Sequence, residues 1–254
     1  ADVLACLRSR PLDQILDGQM IGAYTLKNLQ CAGLQAVIPW NPVIDQKLIK
    51  QAPINAVINK PIMLGTNLNE SIPFVAPVPP SLYPVLMDAL FDPGQALKIM
   101  IDYSMEYPGQ ASQQLQQTVT DYLWTCFNRQ FASRSTAGAY RYFYTHHGSF
   151  PFWVDGQNQV SGAVPEQCAV DGKVCHADEL PFVFGNAVND KGLAQSFTAE
   201  EADLSLALRR YWIQFARSGD PNVAGAPNWP LDATGSLLRM AAPSAAITAV
   251  TDQS

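Results

Sequence analysis

The sequence predicts an α/β protein with a mainly parallel sheet flanked by helices. Two short apolar stretches read as strands, and the stretches around them carry helical spacing over much longer runs. The opening segment ADVLACLRSRP places Leu4 and Leu7 on helical spacing, with Pro11 ending the pattern. A pattern that starts in the first residues suggests a chain already inside a helix, cut from something longer. KPIMLGTNLNES reads as a strand through Ile62, Met63 and Leu64, ending at Gly65 and a polar turn. Ser71 to Pro84 holds five prolines and reads as an irregular excursion. Helical patterns follow over Pro84 to Phe91 and Ala96 to Met105, and a longer one carries Leu115, Val119, Tyr122 and Cys126 on one stripe. AYRYFYTHH is a second strand, with Tyr140, Tyr142 and Tyr144 on one face and Arg141, Phe143 and Thr145 on the other. The clearest helix comes last: Thr198 and Glu201 form a capping box, and Leu204, Leu208, Tyr211 and Phe215 form its apolar stripe. Gly219 and Pro221 end it.

Length and composition narrow the function. Charged residues are 15% and hydrophobic ones 48% of 254 residues, enough to build a sizeable core and to exclude wholesale disorder. The net charge of −6, with no basic run, lacks the footprint of a nucleic-acid binder or an anionic-membrane binder. No apolar stretch has the length of a bilayer span. No repeat or linker divides the chain, so residues 1–254 are expected to form part of one domain.

The five cysteines (Cys6, Cys31, Cys126, Cys168, Cys175) leave at least one thiol unpaired within the chain. Cys168 and Cys175 bracket a short polar loop and are the best local candidates for a disulfide, worth about 2–3 kcal/mol in the chain-entropy picture. Such a bridge implies an oxidising compartment, secreted or periplasmic. The alternative is a pair of reduced thiols, or a zinc site with His176, although the spacing is unlike the short hairpins zinc favours.

In parallel sheets chemistry sits beyond the carboxyl ends of strands. That rule selects Asn67 to Glu70 after the first strand and Val174 to Glu179 at the end of the excursion after the second. A carboxylate at Glu70 and an imidazole at His176 would be the orienting and proton-transferring members of a nucleophilic triad. Each also has a structural reading: Glu70 in the first turn of a short helix, His176 as a loop histidine beside a disulfide. His146 and His147 are adjacent on the presumed strand, so their side chains diverge and cannot chelate one metal.

At this point several segments resemble the type-B carboxylesterases, the family of cholinesterases and fungal lipases. Ala5 to Ser9 resembles their Cys-Leu-Arg segment, and Pro42 to Asp45 their Pro-Val-Ile-Asp-Gly segment. Gly65 to Glu70 is similar to the stretch carrying the catalytic acid, and Asp121 to Cys126 to an Asp-x-x-x-x-Cys helix. Cys175 to Gly185 resembles the block around the catalytic histidine. Trp212 to Asn222 with Trp229-Pro230 resembles Trp-x-x-Phe-Ala-x-x-Gly-Asp-Pro-Asn and its downstream Trp-Pro. The order of these blocks is the family's. Gln46 and Ser71 stand where the family usually has glycine. More consequentially, the chain contains no Gly-x-Ser-x-Gly and no Gly-Gly-rich oxyanion loop.

The resemblance therefore implies the C-terminal half of an α/β-hydrolase, with the nucleophile and oxyanion hole supplied by a preceding segment, to which Cys6 would also bridge. It implies a carboxylic ester hydrolase in which Glu70 orients His176, while Glu179 braces the loop. No metal or other cofactor is expected. The substrate would be a small ester with an apolar part, the partner the N-terminal half of the same enzyme, and the isolated chain inactive. Phe74, Leu82, Leu86, Met87 and Phe91, with Ile72 and Val75, would line an apolar pocket; the plainer reading is that they are core. Two other functions compete: a non-catalytic cholinesterase-like interaction module, and a metal-dependent hydrolase using Cys168, Cys175 and His176.

Overall fold

A computed structural model describes residues 2–20, 42–157, 159–170 and 172–251. The two segments read as strands lie side by side and parallel as β1 (Ile62–Asn67) and β2 (Ala139–Tyr144), with Ile62 opposite Ala139 and Asn67 opposite Tyr144. Two further strands extend the sheet in the order β1-β2-β3-β4. β3 (Ser236–Met240) runs parallel to β2, and β4 (Thr248–Thr251) antiparallel to β3. The sheet is thus mainly parallel, as expected, but β3 and β4 escaped sequence reading. Each is five residues or fewer, too short for a period to stand out.

The first strand does not end at Gly65. It runs to Asn67, and Thr66 and Asn67 are its buried members, while Ile62 to Leu64 are half-buried. Gly65 acts here as a site of close approach and not as a breaker: a Cβ on it would lie 2.3 Å from Cγ of Tyr142 on the neighbouring strand.

The chain divides into two compact units, Ala1–Lys50 with Val78–Ala111, and Gln51–Pro77 with Ser112–Ser254. In the first, α1 (Val3–Arg8) has its own start. Asp2 accepts hydrogen bonds from the N–H groups of Leu4 and Ala5 and so caps the first turn of this helix. α2 (Leu12–Met20), α3 (Tyr83–Leu90) and α4 (Pro93–Glu106) complete the described helices, with Tyr83, Met87, Ala89 and Ala96 buried. Gln46, where the resembling family has glycine, adopts φ 61° in the left-handed region. Cys6 is an exposed free thiol, and Cys31 lies outside the described residues.

The second unit holds the sheet. Between β1 and β2 run α5 (Ala111–Thr120), a π-turn at Asp121–Thr125, and α6 (Cys126–Ala132). The expected stripe along this segment is only partly right. Leu115 is buried, but Tyr122 and Cys126 are exposed, whereas Gln114, Gln116, Thr118 and Thr120 are buried. The π-turn rotates everything after it away from the α-helical period. Gln116 and Thr120 bond instead to the loop after β1: Ser71 Oγ donates to the Gln116 carbonyl, and Thr120 Oγ1 accepts from the Ser71 N–H.

α7 (Ala163–Cys168) and α8 (Leu180–Phe184) flank the His176 loop. α9 (Ala199–Ser218) matches its reading throughout: both halves of the Thr198–Glu201 capping box are formed, and Gly219 caps the end at φ 76°. Leu204, Leu208 and Tyr211 pack with Tyr140, Tyr144, Leu238, Met240 and Trp229 into the main core. Trp229 is its keystone. Tyr140, Tyr142 and Tyr211 meet its ring edge-on at centroid distances of 5.4–6.3 Å, and its indole N–H donates to the Arg141 carbonyl at 2.9 Å. No helix among the described residues is long and apolar enough to cross a membrane.

Candidate active site

Glu70 and His176, 106 residues apart, meet at the end of the sheet. The chain turns sharply after β1, and the backbone N–H of Asn67 donates to Glu70 Oε1 at 2.7 Å. The other carboxylate oxygen lies 2.6 Å from His176 Nδ1. No helix starts at Glu70, so its carboxylate serves these two partners and not a helix dipole. Glu70 is buried, whereas 43% of the His176 side chain stays exposed. With Nδ1–H directed at the carboxylate, Nε2 keeps its lone pair and can accept a proton.

The histidine loop is clamped from several directions. Asn69 bridges to Cys175 in parallel fashion, its N–H donating to the Val174 carbonyl at 2.8 Å and its Oδ1 accepting from the Val174 N–H. The Asn67 amide donates to the Cys175 carbonyl at 2.8 Å and to Glu179 Oε2 at 2.5 Å, which gives Glu179 the bracing place expected of it. Asp178 Oδ2 accepts from the Cys175 N–H at 2.6 Å, and the Trp153 indole donates to the His176 carbonyl at 2.9 Å. Ala177 takes φ 71°, which turns the chain directly after the histidine.

Cys168 and Cys175 form the disulfide, with Cα atoms 5.8 Å apart. Both sulfurs are therefore bonded to each other, which removes the thiolates a Cys168–Cys175–His176 zinc site would need. The bridge packs with Ile72 in a small buried cluster, so Ile72 is core and not a pocket wall. His146 and His147 lie just past the end of β2 and do diverge: one ring reaches Glu201, the other the Lys173 carbonyl.

The His176 ring sits against two aromatic rings. Phe74 meets it edge-on at 5.3 Å, Trp124 lies tilted to it at 6.0 Å, and the two stack on each other at 5.9 Å. The hydrogen bond to Glu70 raises the imidazole pKa. Burial opposes this, and the charges of Glu70 and Glu179 add to the rise. Burial pushes the carboxyls of Asp178 and Glu179 up, and the phenols of Tyr142 and Tyr144 as well. Tyr142 and Tyr144 thus stay neutral beside the acidic cluster.

Of the expected pocket residues, Phe74 is brought to the histidine with 60% of its surface still exposed. Leu82, Leu86, Met87 and Phe91 belong to the other unit, where Met87 is fully buried and Leu82 exposed. Sequence reasoning selected the Asn67 to Glu70 loop but gave Asn67 itself no role, and it missed Trp124 and Trp153. Asn67 and Trp153 act across more than 20 residues of chain. The one available signal for Trp124 was a tryptophan lying off the apolar stripe of its helix.

A parallel sheet whose first two strands lead into a bonded carboxylate and imidazole defines an α/β-hydrolase-type architecture. Residues 1–243 match the model of the carboxylesterase family, and the chain belongs to that family. It is 30% identical over 234 residues to the cAMP-regulated D2 protein of Dictyostelium discoideum, covering 86% of this chain and 40% of that protein. Against acetylcholinesterase 1 of Caenorhabditis elegans it is 28% identical over 252 residues, covering 83% and 37%. The chain thus spans about two-fifths of the length of these relatives. Among solved structures, PNB esterase matches with a TM-score of 0.65 at 20% identity, over 98% of this chain and 48% of that one, a likeness of fold.

Proposed function

We propose that this chain supplies the acid and the base of a serine carboxylic ester hydrolase. His176 takes the proton from a serine hydroxyl and returns it to the leaving alcohol, and Glu70 holds the imidazole in the working tautomer and stabilises the imidazolium. The observation that carries this reading is the 2.6 Å bond between Glu70 and His176 Nδ1. A binding module would have no physical need for that pair. The serine and the oxyanion-hole amides come from a segment outside these 254 residues, in a domain to which both compact units belong. Support comes from the absence of Gly-x-Ser-x-Gly here and from the coverage of the relatives. β1 adds to it: it has one neighbour among the described strands although its far end is buried, an unusual position for a parallel strand. Phe74 forms an apolar wall beside the imidazole, which suits an ester with an apolar part. The disulfide favours an exported enzyme, secreted or periplasmic.

The test is hydrolysis of p-nitrophenyl esters by the enzyme together with its Glu70→Gln and His176→Ala variants. The Glu70 variant loses about 10⁴ and the His176 variant about 10⁶ in kcat, each with its thermal melt preserved. Near-normal turnover in either removes that residue from the machinery. Ordinary enzyme rates from the 254-residue chain alone would refute an external nucleophile.

A further inference from the structure

A concavity of about 180 Å³ opens between the segment after β2 and the α7–α8 region. Phe150, Phe152, Trp153 and Phe182 supply its aromatic walls, and His147 and Asp178 its polar ones. None of Glu70, His176, Phe74 or Trp124 lines it. The rings give the concavity flat and edge-on aromatic walls. Phe150 and Phe182 are stacked on each other, nearly parallel with centroids 6.4 Å apart, too close to admit a ring between them, and Phe152 and Trp153 meet at a right angle.

Size and wall chemistry select the ligand. An apolar cavity of about 150 Å³ takes up benzene, so this one accommodates a single ring with one or two further heavy atoms. Burial, assisted by Glu179 and Glu70 and opposed by the bond from the Cys175 N–H, holds the Asp178 carboxyl well above the usual range. One Asp178 oxygen accepts from that N–H, and the second can pair with a guest's hydroxyl. We propose that this cavity binds a monocyclic phenol, with the ring against the aromatic walls and the hydroxyl on Asp178, and that its occupancy is felt at His176. The route is short. Trp153 and Asp178 line the cavity, and the same two side chains hold the His176 carbonyl and the Cys175 N–H. The effect on turnover rests on the esterase reading; the binding does not.

The experiment is an NMR titration of the protein with phenol. Nuclear Overhauser contacts run from the phenol ring to Phe150 and Phe182, and the His176 titration midpoint moves on saturation. Ala169→Phe, which fills the wall, weakens binding at least about tenfold, as expected when aromatic burial is lost. Toluene, lacking the hydroxyl, binds about 3–10-fold more weakly than phenol. Contacts confined to Phe74 and Trp124, or unchanged affinity in a folded Ala169→Phe, overturn the site. If that variant does not fold, the contacts and the toluene comparison on the unmodified protein decide. Binding without any change at His176 overturns the coupling alone, and a phenol-binding enzyme whose Glu70→Gln and His176→Ala variants keep near-normal turnover counts against the esterase reading alone.

Discussion

The backbone N–H of Asn67 donates to Glu70 Oε1 while its side-chain amide donates to the Cys175 carbonyl and to Glu179, so one residue at the tip of β1 ties the acid to the histidine loop. In Asn67→Ala the backbone bond to Glu70 survives and the loop tether is lost. The expected result is about 1–3 kcal/mol of stability lost and a fall of about 10–100-fold in kcat with little change in KM. Asn67→Asp is worse, because it sets a carboxylate beside Glu179. Denaturant midpoints and steady-state kinetics check both, and full activity in Asn67→Ala would contradict the positioning role.

The pH dependence follows from the raised His176 pKa. The base must be neutral to act, so the acid limb of kcat/KM lies above the ordinary imidazole value of 6.5. Removing the Glu70 charge in Glu70→Gln moves that limb to lower pH. The sign for stability is the opposite of that for activity. The fold favours the protonated ring, so its contribution is complete below 6.5 and is lost as pH rises through the folded value. A limb at or below 6.5, unmoved by Glu70→Gln, would show that the carboxylate does not act on the ring.

Gly65 is a packing site. In Gly65→Ala the new Cβ meets the Tyr142 ring at 2.3 Å, and the overpacking costs about 1–3 kcal/mol. Combined with Tyr142→Ala, the two losses are less than additive, because the first substitution then has nothing to collide with. Strict additivity of the urea midpoints would place the strain elsewhere.

The Cys168–Cys175 bridge closes a loop that ends next to the histidine. Replacing both cysteines with alanine removes about 2–3 kcal/mol. Reductant lowers the melting temperature of the unmodified protein and leaves that of the double variant unchanged. Equal sensitivity of the two proteins to reductant would mean that the bridge is not the element being reduced.

The elements legible in the sequence were those encoded within a few residues. The Thr198–Glu201 box, the Gly219 cap and the alternation of Tyr140, Tyr142 and Tyr144 all express local geometry, a turn or a pleat, and all stand where their spacing put them. Glu70 and His176 were found because strand ends are where α/β sheets place chemistry and because their flanking residues resemble a known family; their 2.6 Å contact belongs to the tertiary structure. So do the residues that complete the site. Trp124 meets the imidazole from within a π-turn, and Asn67 finds its partners 108 and 112 residues away. β3 and β4 are strands because a sheet edge was there to pair with, and Gly65 is a contact point because Tyr142 lies opposite. Periodicity and capping are set by neighbours along the chain, whereas hydrogen bonds and ring contacts between distant segments are set by which surfaces the fold brings together.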